Sequence, residues 1–415
     1  MNPYNKDKQY ILPVFDKYNI NFIKGEKSFL YADTGKKYLD FCSGVASNSL
    51  GHCNPKLVKA LKKQLNSFMH ISNLYPNKNQ SDLAELISTK IIKHPGKVFF
   101  SNSGSEANEA ALKIARRFGN LKNKIKESSE IITFSGSFHG RTFANISATN
   151  LLHPRQGFSP LLPGFIKAEF NNIQDLKSKI TKYTSAIMIE AVQGVNGIQI
   201  ANKEFLLELV DICKENNILF FLDDVQAGLG RAGSLISIHS ILDDLKIIPD
   251  IITFAKGIGG GFPLAATWVK ERNVYDKHLT DILTTGSHAS TFGGNPLASI
   301  AGITVLNQII NKKLSKNSQK MGKILAKKLR NLNSELIKEV RQIGLFIAIE
   351  FDDSKFKELF NTKKDSLSYF YNQFLENGLL TVKSKNNSLN LLPPLNIGKS
   401  EVNLALKIIK NSLYN

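Results

Sequence analysis

Between about residues 80 and 300, short apolar runs alternate with stretches that have helical spacing. The runs with the length of buried strands lie at residues 98–100, 131–134, 186–189, 218–222 and 251–254. Helical stretches, such as residues 106–117 and 203–215, lie between them. Continuous apolar strands that alternate with helices are typical of a mostly parallel sheet covered by helices on both faces. The sequence therefore predicts an α/β fold, in which a ligand binds at the carboxyl ends of the strands.

The two ends of the chain differ from this central part. Residues 1–54 predict an irregular arm with short strands, two of which flank a hairpin-type turn at Asp33-Thr34-Gly35. Asn54-Pro55 predicts the start of a helix, and residues 44–52 predict a loop of small residues. After residue 300, amphipathic helices and short apolar runs predict a smaller α+β domain. We therefore predict an N-terminal arm (1–54) that joins the small domain, a large domain (55–300) and a C-terminal small domain (301–415).

Charge and cysteine content argue against several classes of protein. The net charge is +19, but the lysines are scattered, and the densest run, Lys122-Asn123-Lys124-Ile125-Lys126, has no interleaved aromatic residues. The three cysteines show no C-x-x-C spacing, which argues against disulfides or a zinc site and for a reducing compartment. No apolar run approaches the ~18 residues of a membrane span. We expect a cytoplasmic protein with no metal, membrane or nucleic-acid partner.

Lys256 lies just beyond the last of the strand-like runs, and glycines follow it at once. A lysine at the end of a buried strand loses hydration, which lowers its pKa and makes its amine a usable nucleophile. Glycines leave room for another molecule to approach that amine, as a carbonyl cofactor held as a Schiff base requires. The alternative for this stretch alone is a solvated lysine before a flexible loop.

Three other strand ends carry side chains suited to one ligand. Ser103-Gly104-Ser105 opens a helix after residues 98–100, which predicts either an anion site or an ordinary serine cap. Phe138 and Arg141 follow residues 131–134. Phe138 could stack on a flat ring and Arg141 could bind a carboxylate. The alternative is an ordinary loop with a partly buried phenylalanine. Asp223 directly follows the run 218–222, where a buried carboxylate needs a positive partner such as a pyridinium nitrogen. The alternative is that Asp223 caps the start of a helix.

Taken together, these segments resemble class III pyridoxal-phosphate aminotransferases, and most of all the acetylornithine aminotransferase branch. The resemblance extends from about residue 12 to residue 410. It rests on five motifs in the same order: Ser103-Gly104-Ser105-Glu106-Ala107-Asn108, Phe138-His139-Gly140-Arg141-Thr142, Asp223-Asp224-Val225-Gln226, Ala255-Lys256-Gly257 and Ser290-Thr291-Phe292-Gly293-Gly294-Asn295-Pro296-Leu297.

The resemblance implies a fold-type I transferase that binds pyridoxal 5'-phosphate and works as a homodimer with a shared active site. It implies that Lys256 holds the cofactor aldehyde and moves the α-proton, and that Asp223 pairs with the ring nitrogen. It implies that Phe138 and Val225 contact the ring, that Gln226 lies near the ring hydroxyl, and that Glu190 lies behind it. It implies that the phosphate is bound by Ser103, Gly104 and Ser105, and that Thr291 contacts the phosphate of the neighbouring subunit. The substrate would be bound by Arg141 and Ser290.

The implied reaction is transamination of the terminal amine of an amino acid. The branch implies N2-acetylornithine as substrate and 2-oxoglutarate as acceptor, as in arginine biosynthesis. The alternatives are another ω-aminotransferase, acting on ornithine, succinyldiaminopimelate, diaminobutyrate or 4-aminobutyrate, an aminomutase with a different amino donor, or a non-catalytic homologue.

Two departures from the family pattern bear on the amino donor. Where the branch has a glutamate and an arginine that pair with each other, this chain has Val195 and Asn390. In the family that arginine takes the α-carboxylate of glutamate, so its absence predicts a weak reaction with glutamate. Lys383 and Lys385 lie a few residues earlier and are candidates for a replacement charge. The family's Asp-Glu pair is Asp223-Asp224 here, which keeps the acid assigned to the ring.

Overall fold

The computed structural model describes residues 3–123 and 129–414. The part of the basic run from Lys124 to Lys126 lies outside these residues. The strands are β1 (Phe22–Glu26), β2 (Phe29–Ala32), β3 (Lys37–Asp40), β4 (Gly96–Ser101), β5 (Glu130–Phe134), β6 (Phe165–Ala168), β7 (Thr184–Ile189), β8 (Val192–Gln193), β9 (Gln199–Ile200), β10 (Leu219–Asp223), β11 (Ile251–Phe254), β12 (Ala265–Lys270), β13 (Asn273–Val274), β14 (Lys277–His278), β15 (Ile337–Ile343), β16 (Phe346–Phe351), β17 (Leu379–Leu380), β18 (Val382–Ser384) and β19 (Ser388–Leu391).

Helices connect these strands and pack against the sheets that they form. They are α1 (Pro3–Tyr10), α2 (Ser43–Ala46), α3 (Pro55–Leu65), α4 (Lys78–Leu86), α5 (Gly104–Asn123), α6 (Phe143–Ala148), α7 (Leu152–Arg155), α8 (Ile173–Lys179), α9 (Lys203–Glu215), α10 (His239–Leu242), α11 (Pro296–Asn311), α12 (Leu314–Arg330), α13 (Asp353–Phe360), α14 (Ser366–Glu376) and α15 (Lys399–Tyr414). A π-helical turn at Ile87–Ile92 and 3₁₀ turns at Lys256–Gly259 and Leu279–Asp281 complete the set.

A seven-stranded sheet with the order β4-β12-β11-β10-β7-β5-β6 organises the centre of the chain. β12 runs antiparallel to both of its neighbours, and the other strands run parallel to one another. The five predicted strands are confirmed as β4, β5, β7, β10 and β11. The sequence did not predict β6 or β12. Lys167 interrupts the apolar pattern of β6, and β12 begins with alanines directly after a glycine-rich turn and Pro263.

Both faces of this sheet are buried, which explains why its strands are mostly apolar. On β10, Leu219 and Phe221 pack in the cluster that contains α5, whereas Phe220 and Leu222 belong to the cluster on the opposite face. Successive side chains of a strand point to opposite faces, so one strand supplies both cores. The fold class predicted from the sequence, α/β with a mostly parallel sheet, is therefore confirmed.

A second core forms around the C-terminal sheet, whose order is β15-β16-β19-β18. The predicted hairpin is present as β2 and β3, and β3 pairs in parallel with β17. This pairing supports the proposal that the N-terminal arm joins the small domain. The proposed boundary at residue 300 falls inside α11, which packs against α3 and α4.

The N-terminal region differs from its prediction in two places. Residues 3–10 form the exposed helix α1 instead of an irregular arm. The predicted loop of small residues contains α2, in which Ser43, Gly44, Val45 and Ala46 all have positive φ. Ser43 is held in this turn because its N–H donates to Asp40 Oδ1 at 2.7 Å. Among the described residues, no helix is long and apolar enough to cross a membrane.

Candidate functional site

A cavity of about 360 Å³ opens at the carboxyl ends of the central strands. Nine of the residues selected from the sequence line it: Ser103, Gly104, Ser105, Phe138, Glu190, Asp223, Val225, Gln226 and Lys256. They lie at or just beyond the ends of β4, β5, β7, β10 and β11, which are far apart in the chain. Parallel strands bring their carboxyl ends to one edge of the sheet, and this is why these residues meet.

Lys256 is fixed in position at the floor of this cavity. It has a left-handed backbone conformation with φ of 43°, which costs a non-glycine residue roughly 1–2 kcal/mol. The following glycines form a 3₁₀ turn rather than a flexible loop, and Ser49 Oγ donates to the Gly257 carbonyl at 2.8 Å. Burial lowers the pKa of the Lys256 amine, although Glu190 and Asp223 act in the opposite direction. The uncharged, nucleophilic form is therefore easier to reach than in an exposed lysine.

Asp223 is the last residue of β10, and its carboxylate is held by three donors. Oδ2 accepts from Asn108 Nδ2 at 2.8 Å and from His139 Nδ1 at 2.7 Å, and Oδ1 accepts from the Val225 N–H at 3.2 Å. Asn108 is fixed in turn, because its Oδ1 accepts from Thr253 Oγ1 at 2.7 Å. Residues 225–230 form turns rather than a helix, so Asp223 is not a helix cap.

Two further buried carboxyl groups lie close to Asp223 but have different surroundings. Glu190 lines the cavity, and its Oε1 accepts from the Phe138 N–H at 2.7 Å. Burial, reinforced by the charge of Asp223, raises the pKa of Glu190 well above its ordinary value. Asp224 lines a smaller, separate cavity and accepts from the Ser237 N–H at 3.0 Å. Burial raises the pKa of Asp224 to about 7.

The start of α5 forms one end of the cavity. Ser103 Oγ accepts from the Glu106 N–H at 3.3 Å and donates to Glu106 Oε2 at 2.9 Å. The serine cap considered from the sequence is therefore present, on a helix N-terminus that also faces the cavity and suits an anion. A Cβ on Gly104 would lie 2.8 Å from Val225 Cγ1, so this position has room for glycine but not for a side chain.

Phe138 and Arg141 lie at the mouth of the cavity. Phe138 is half-buried and lines the cavity, while the Arg141 guanidinium carbon lies 5.4 Å from the centre of its ring. The Arg141 N–H donates to Ser105 Oγ at 3.2 Å, and its side chain is exposed. Arg141 is thus placed to bind an anionic group that approaches from solvent.

Ser290 contacts a residue that lines the cavity, whereas its neighbour Thr291 does not line it. Ser290 Oγ accepts from Asn102 Nδ2 at 3.2 Å, and Asn102 lines the cavity. Thr291 is exposed to solvent. The structure therefore brings Ser290 near the other site residues but leaves Thr291 on the surface of this chain.

The sequence did not reveal the side chains that support the selected residues. Asn108 lies one turn after Gly104 on α5, and this spacing was the available signal that both face the cavity. His139 directly follows Phe138, but its contact with Asp223 depends on how β5 and β10 pack. Ser47 closes the cavity from a distant segment that had no recognisable signal, and Phe262 and Leu264 close it from the end of the glycine-rich stretch that follows Lys256.

Val195 and Asn390 are neighbours, although neither is charged. Asn390 is buried, and its Nδ2 donates to the carbonyl of Gly194 at 2.8 Å. A Cβ on Gly194 would lie 2.1 Å from Gln226 Oε1, so this segment lies directly behind the cavity lining.

The two candidate lysines have different positions. Lys383 pairs with Leu389 rather than with Asn390, so its side chain lies on the opposite face of the sheet from Asn390. Its Nζ lies 4.8 Å from the centre of the Tyr371 ring and 3.4 Å from Ser368 Oγ. Lys385 is exposed, and its N–H donates to the carbonyl of Val195 at 3.1 Å. This geometry counts against Lys383 as a replacement for the family's arginine.

Comparisons with known proteins agree with this geometry. The family model described as aminotransferase class III matches residues 14–413. The acetylornithine aminotransferase of Caldanaerobacter subterraneus subsp. tengcongensis is 41% identical over 409 residues, which are 98% of each chain. That of Aquifex aeolicus is 38% identical over 407 residues, which are 97% of this chain and 100% of that protein.

Solved structures show the same likeness. The ornithine aminotransferase of Toxoplasma gondii, in which PLP partially occupies the active site, superposes with a TM-score of 0.90 at 26% identity, covering 99% of this chain and 93% of that one. The acetylornithine aminotransferase of Elizabethkingia anophelis superposes with a TM-score of 0.83 at 29% identity, covering 99% of this chain and 97% of that one.

Proposed function

The chain is a member of the class III aminotransferase family, and from this premise we propose that it transfers the terminal amino group of an amino acid. We propose N2-acetylornithine as the substrate and 2-oxoglutarate as the acceptor, as in arginine biosynthesis. The observation that carries the proposal is the pair formed by Lys256 and Asp223. A buried amine and a buried carboxylate line one cavity from the ends of two neighbouring strands. The acetylornithine aminotransferases among its relatives support the choice of substrate.

The residues of the cavity fit pyridoxal 5'-phosphate. The N-terminus of α5, with Ser103, Gly104 and Ser105, suits the phosphate. Phe138 and Val225 would hold the two faces of the ring, and the missing Cβ at Gly104 leaves room for Val225. When bound, the cofactor supplies a ring that accepts the electrons released as the substrate's C–H bond breaks.

The protein's own residues would then divide the work. Lys256 would attach the cofactor through its amine and move the proton of the reacting carbon. Asp223 would keep a proton on the ring nitrogen, and the donors on its carboxylate would hold it in place. Arg141 would bind a carboxylate of the substrate far from the reacting amine, because its guanidinium is exposed beside Phe138.

We also propose an active homodimer in which Thr291 contacts the phosphate of the neighbouring subunit. Exposed apolar side chains support a protein interface near Thr291. They are Leu65, Phe68, Met69, Leu74, Tyr75 and Phe292. The ring of Phe292, next to Thr291, lies 5.0 Å from the ring of His70 and so extends this apolar surface.

Location and partners are further parts of the proposal. The cysteines Cys42, Cys53 and Cys213 are free, which supports a reducing compartment such as the cytoplasm. We propose small-molecule substrates and no nucleic-acid partner. We also propose the division into an arm (1–54), a large domain (55–300) and a small domain (301–415), since two separate sheets have separate cores.

Val195 and Asn390 favour a second candidate, an ω-aminotransferase or aminomutase whose amino donor is not glutamate. The loss of a charged hydrogen-bonding partner for the α-carboxylate costs roughly 1.5–3 kcal/mol, or on the order of ten- to a hundredfold in affinity. We therefore expect an ordinary reaction with the ω-amine and a weak one with glutamate.

One set of single-turnover measurements tests both candidates. The holoenzyme should be yellow, lose this absorbance after borohydride reduction, and react with acetylornithine faster than with glutamate. Lys256→Ala should lack the borohydride-sensitive absorbance. The double variant Val195→Glu and Asn390→Arg should gain reaction with glutamate, while Lys383→Ala should match the wild type. A wild type that takes up no cofactor contradicts the enzyme assignment, and equal rates with both amines contradict the meaning given to Val195 and Asn390.

A further inference from the structure

Lys167 makes an unusual set of contacts on the edge strand β6. Its Nζ has four oxygen atoms within hydrogen-bond distance, which share its three N–H groups: Thr133 Oγ1 at 2.9 Å and the carbonyls Ser147 O at 2.8 Å, Ala148 O at 2.5 Å and Thr149 O at 3.3 Å. These carbonyls lie at the C-terminal end of α6, where carbonyl groups have no partner within the helix. A cation is favourable at this end of a helix dipole, so Lys167 holds the end of α6 in place.

The segment that Lys167 holds is bonded to the loop that carries Phe138. The His139 N–H donates to Thr149 Oγ1 at 2.9 Å, and the Asn150 N–H donates to the Ser137 carbonyl at 3.1 Å. Residues 149–150 therefore fix residues 137–139 at two points, on either side of Phe138. A shift at the end of α6 would be passed directly to the backbone of His139.

His139 connects this loop to the acid of the site. Its Nδ1 lies 2.7 Å from Asp223 Oδ2 and donates, because the carboxylate is an acceptor. Its Nε2 is buried and has no hydrogen-bond partner among the residues that the structure describes. Among the described residues, the contact with Asp223 is therefore the only hydrogen bond of the ring, and the position of the ring sets the position of this carboxylate.

We propose that Lys167 is a positioning residue for Asp223 and acts through Thr149 and His139. The inference rests on the proposed assignment of Asp223 to the ring nitrogen. Burial and the neighbouring Arg155 lower the pKa of Lys167 to about 7, so its charged form is costly to keep. The four oxygen acceptors offset this cost, which ties the charged form of Lys167 to the present position of residues 147–149.

A double-mutant cycle tests the connection, with the dissociation constant of pyridoxal phosphate from the refolded or dialysed apoenzyme as the readout. We expect Lys167→Met to weaken cofactor binding about tenfold in the wild-type background. In the His139→Leu background, Lys167→Met should have no additional effect, because the route to Asp223 is already broken. Effects that multiply in the double variant, or an unchanged constant in Lys167→Met, would overturn the proposal.

A matched control separates positioning from a general loss of stability. The partly buried amine of Lys122 also donates to two carbonyls, those of Thr184 at 3.1 Å and Asn216 at 2.8 Å. The described contacts do not connect these two carbonyls to the cavity. Lys122→Met should lower Tm as Lys167→Met does but leave cofactor affinity unchanged. Lys167→Arg, which keeps the charge and donors, should recover most of the lost affinity. Equal losses of affinity in both Met variants would overturn the proposal.

Two more variants keep the test decisive. If Lys167→Met does not fold, Thr149→Val can replace it in the test. This change removes Thr149 Oγ1, the acceptor of the His139 N–H, with little change in shape. It should weaken cofactor binding in the same way. Asp223→Ala distinguishes failure of the proposed function from failure of this inference. An unchanged cofactor affinity in Asp223→Ala contradicts the assignment of Asp223, whereas weakened binding there with normal binding in Thr149→Val contradicts only the route through Lys167.

Discussion

Replacement of Asp223 by alanine should slow the chemical step severely and weaken cofactor binding, while Lys256 should still attach the cofactor when enough is supplied to saturate the site. The Asp223 carboxylate would face the charged ring nitrogen, and this pairing matters most when electrons move onto the ring in the transition state. Asp223 acts to raise the pKa of Lys256, so its removal lowers that pKa further. The uncharged form of the amine, which reacts with the cofactor, therefore becomes easier to reach.

The structure sets the expected magnitudes. Removing one partner of a buried ion pair costs about 3–5 kcal/mol, which corresponds to a rate loss of about 10²–10⁴-fold. The change also removes an acceptor of Asn108 Nδ2, of His139 Nδ1 and of the Val225 N–H. Each orphaned donor costs about 1–3 kcal/mol of stability, partly offset because a charged group is no longer buried. A lower Tm should therefore accompany the slower reaction.

The assay is single-turnover absorbance of the bound cofactor after mixing with the amine substrate. Asp224→Asn is the matched control, because Asp224 is the next residue and is equally buried but bonds the Ser237 N–H instead of facing the cavity. We expect Asp224→Asn to react at close to the wild-type rate. Near-normal turnover in Asp223→Ala, combined with a severe loss in Asp224→Asn, would show that the wrong acid has been assigned to the ring.

Two further outcomes follow from the packing and the buried charges. Gly104→Ala should weaken cofactor binding and lower Tm, because the new Cβ would lie 2.8 Å from Val225 Cγ1 and such overpacking typically costs about 1–3 kcal/mol. Adding Val225→Ala to this variant should restore part of the loss. If the losses of the two substitutions are additive instead, the contact between these residues is contradicted. Burial raises the pKa of Asp224 from 3.8 to about 7, so the folded state binds more protons between these values and stability should fall as pH rises through them. The Tm of Asp224→Asn relative to the wild type should therefore be higher at about pH 8 than at about pH 5, and a pH-independent difference would contradict this burial effect.

The sheet and most of the cavity lining could be predicted because they depend on local patterns. A strand that is buried on both faces is mostly apolar, as β10 and β11 are apart from Thr253, and a charged residue where the apolar run stops marks its carboxyl end. This rule identifies both Lys256 and Asp223 from the order of residues alone. β12 escaped the same rule because Ala265 and Ala266 have little intrinsic preference for a strand and are buried by packing alone.

The supporting contacts could not be predicted, since they depend on which elements pack together. The hydrogen bond from His139 to Asp223 joins residues 84 positions apart, and that from Asn108 to Asp223 joins residues 115 positions apart. The face on which Lys383 lies depends on its register with β19, which a one-residue slip would reverse. The contact predicted for Thr291 is with the phosphate bound by a neighbouring subunit. The structure of a single chain therefore cannot test this prediction.

The buried charges of the cavity determine in which orientation a cofactor can enter. Burial shifts the pKa values of Lys256 and Glu190 in opposite directions, and both shifts favour the uncharged form. Asp223 offers the cavity a carboxylate that accepts three hydrogen bonds. The N-terminus of α5 supplies partial positive charge at the other end. A ligand with a phosphate and a protonated ring nitrogen would be matched in one direction, with the phosphate held at the start of α5 and the nitrogen held by Asp223.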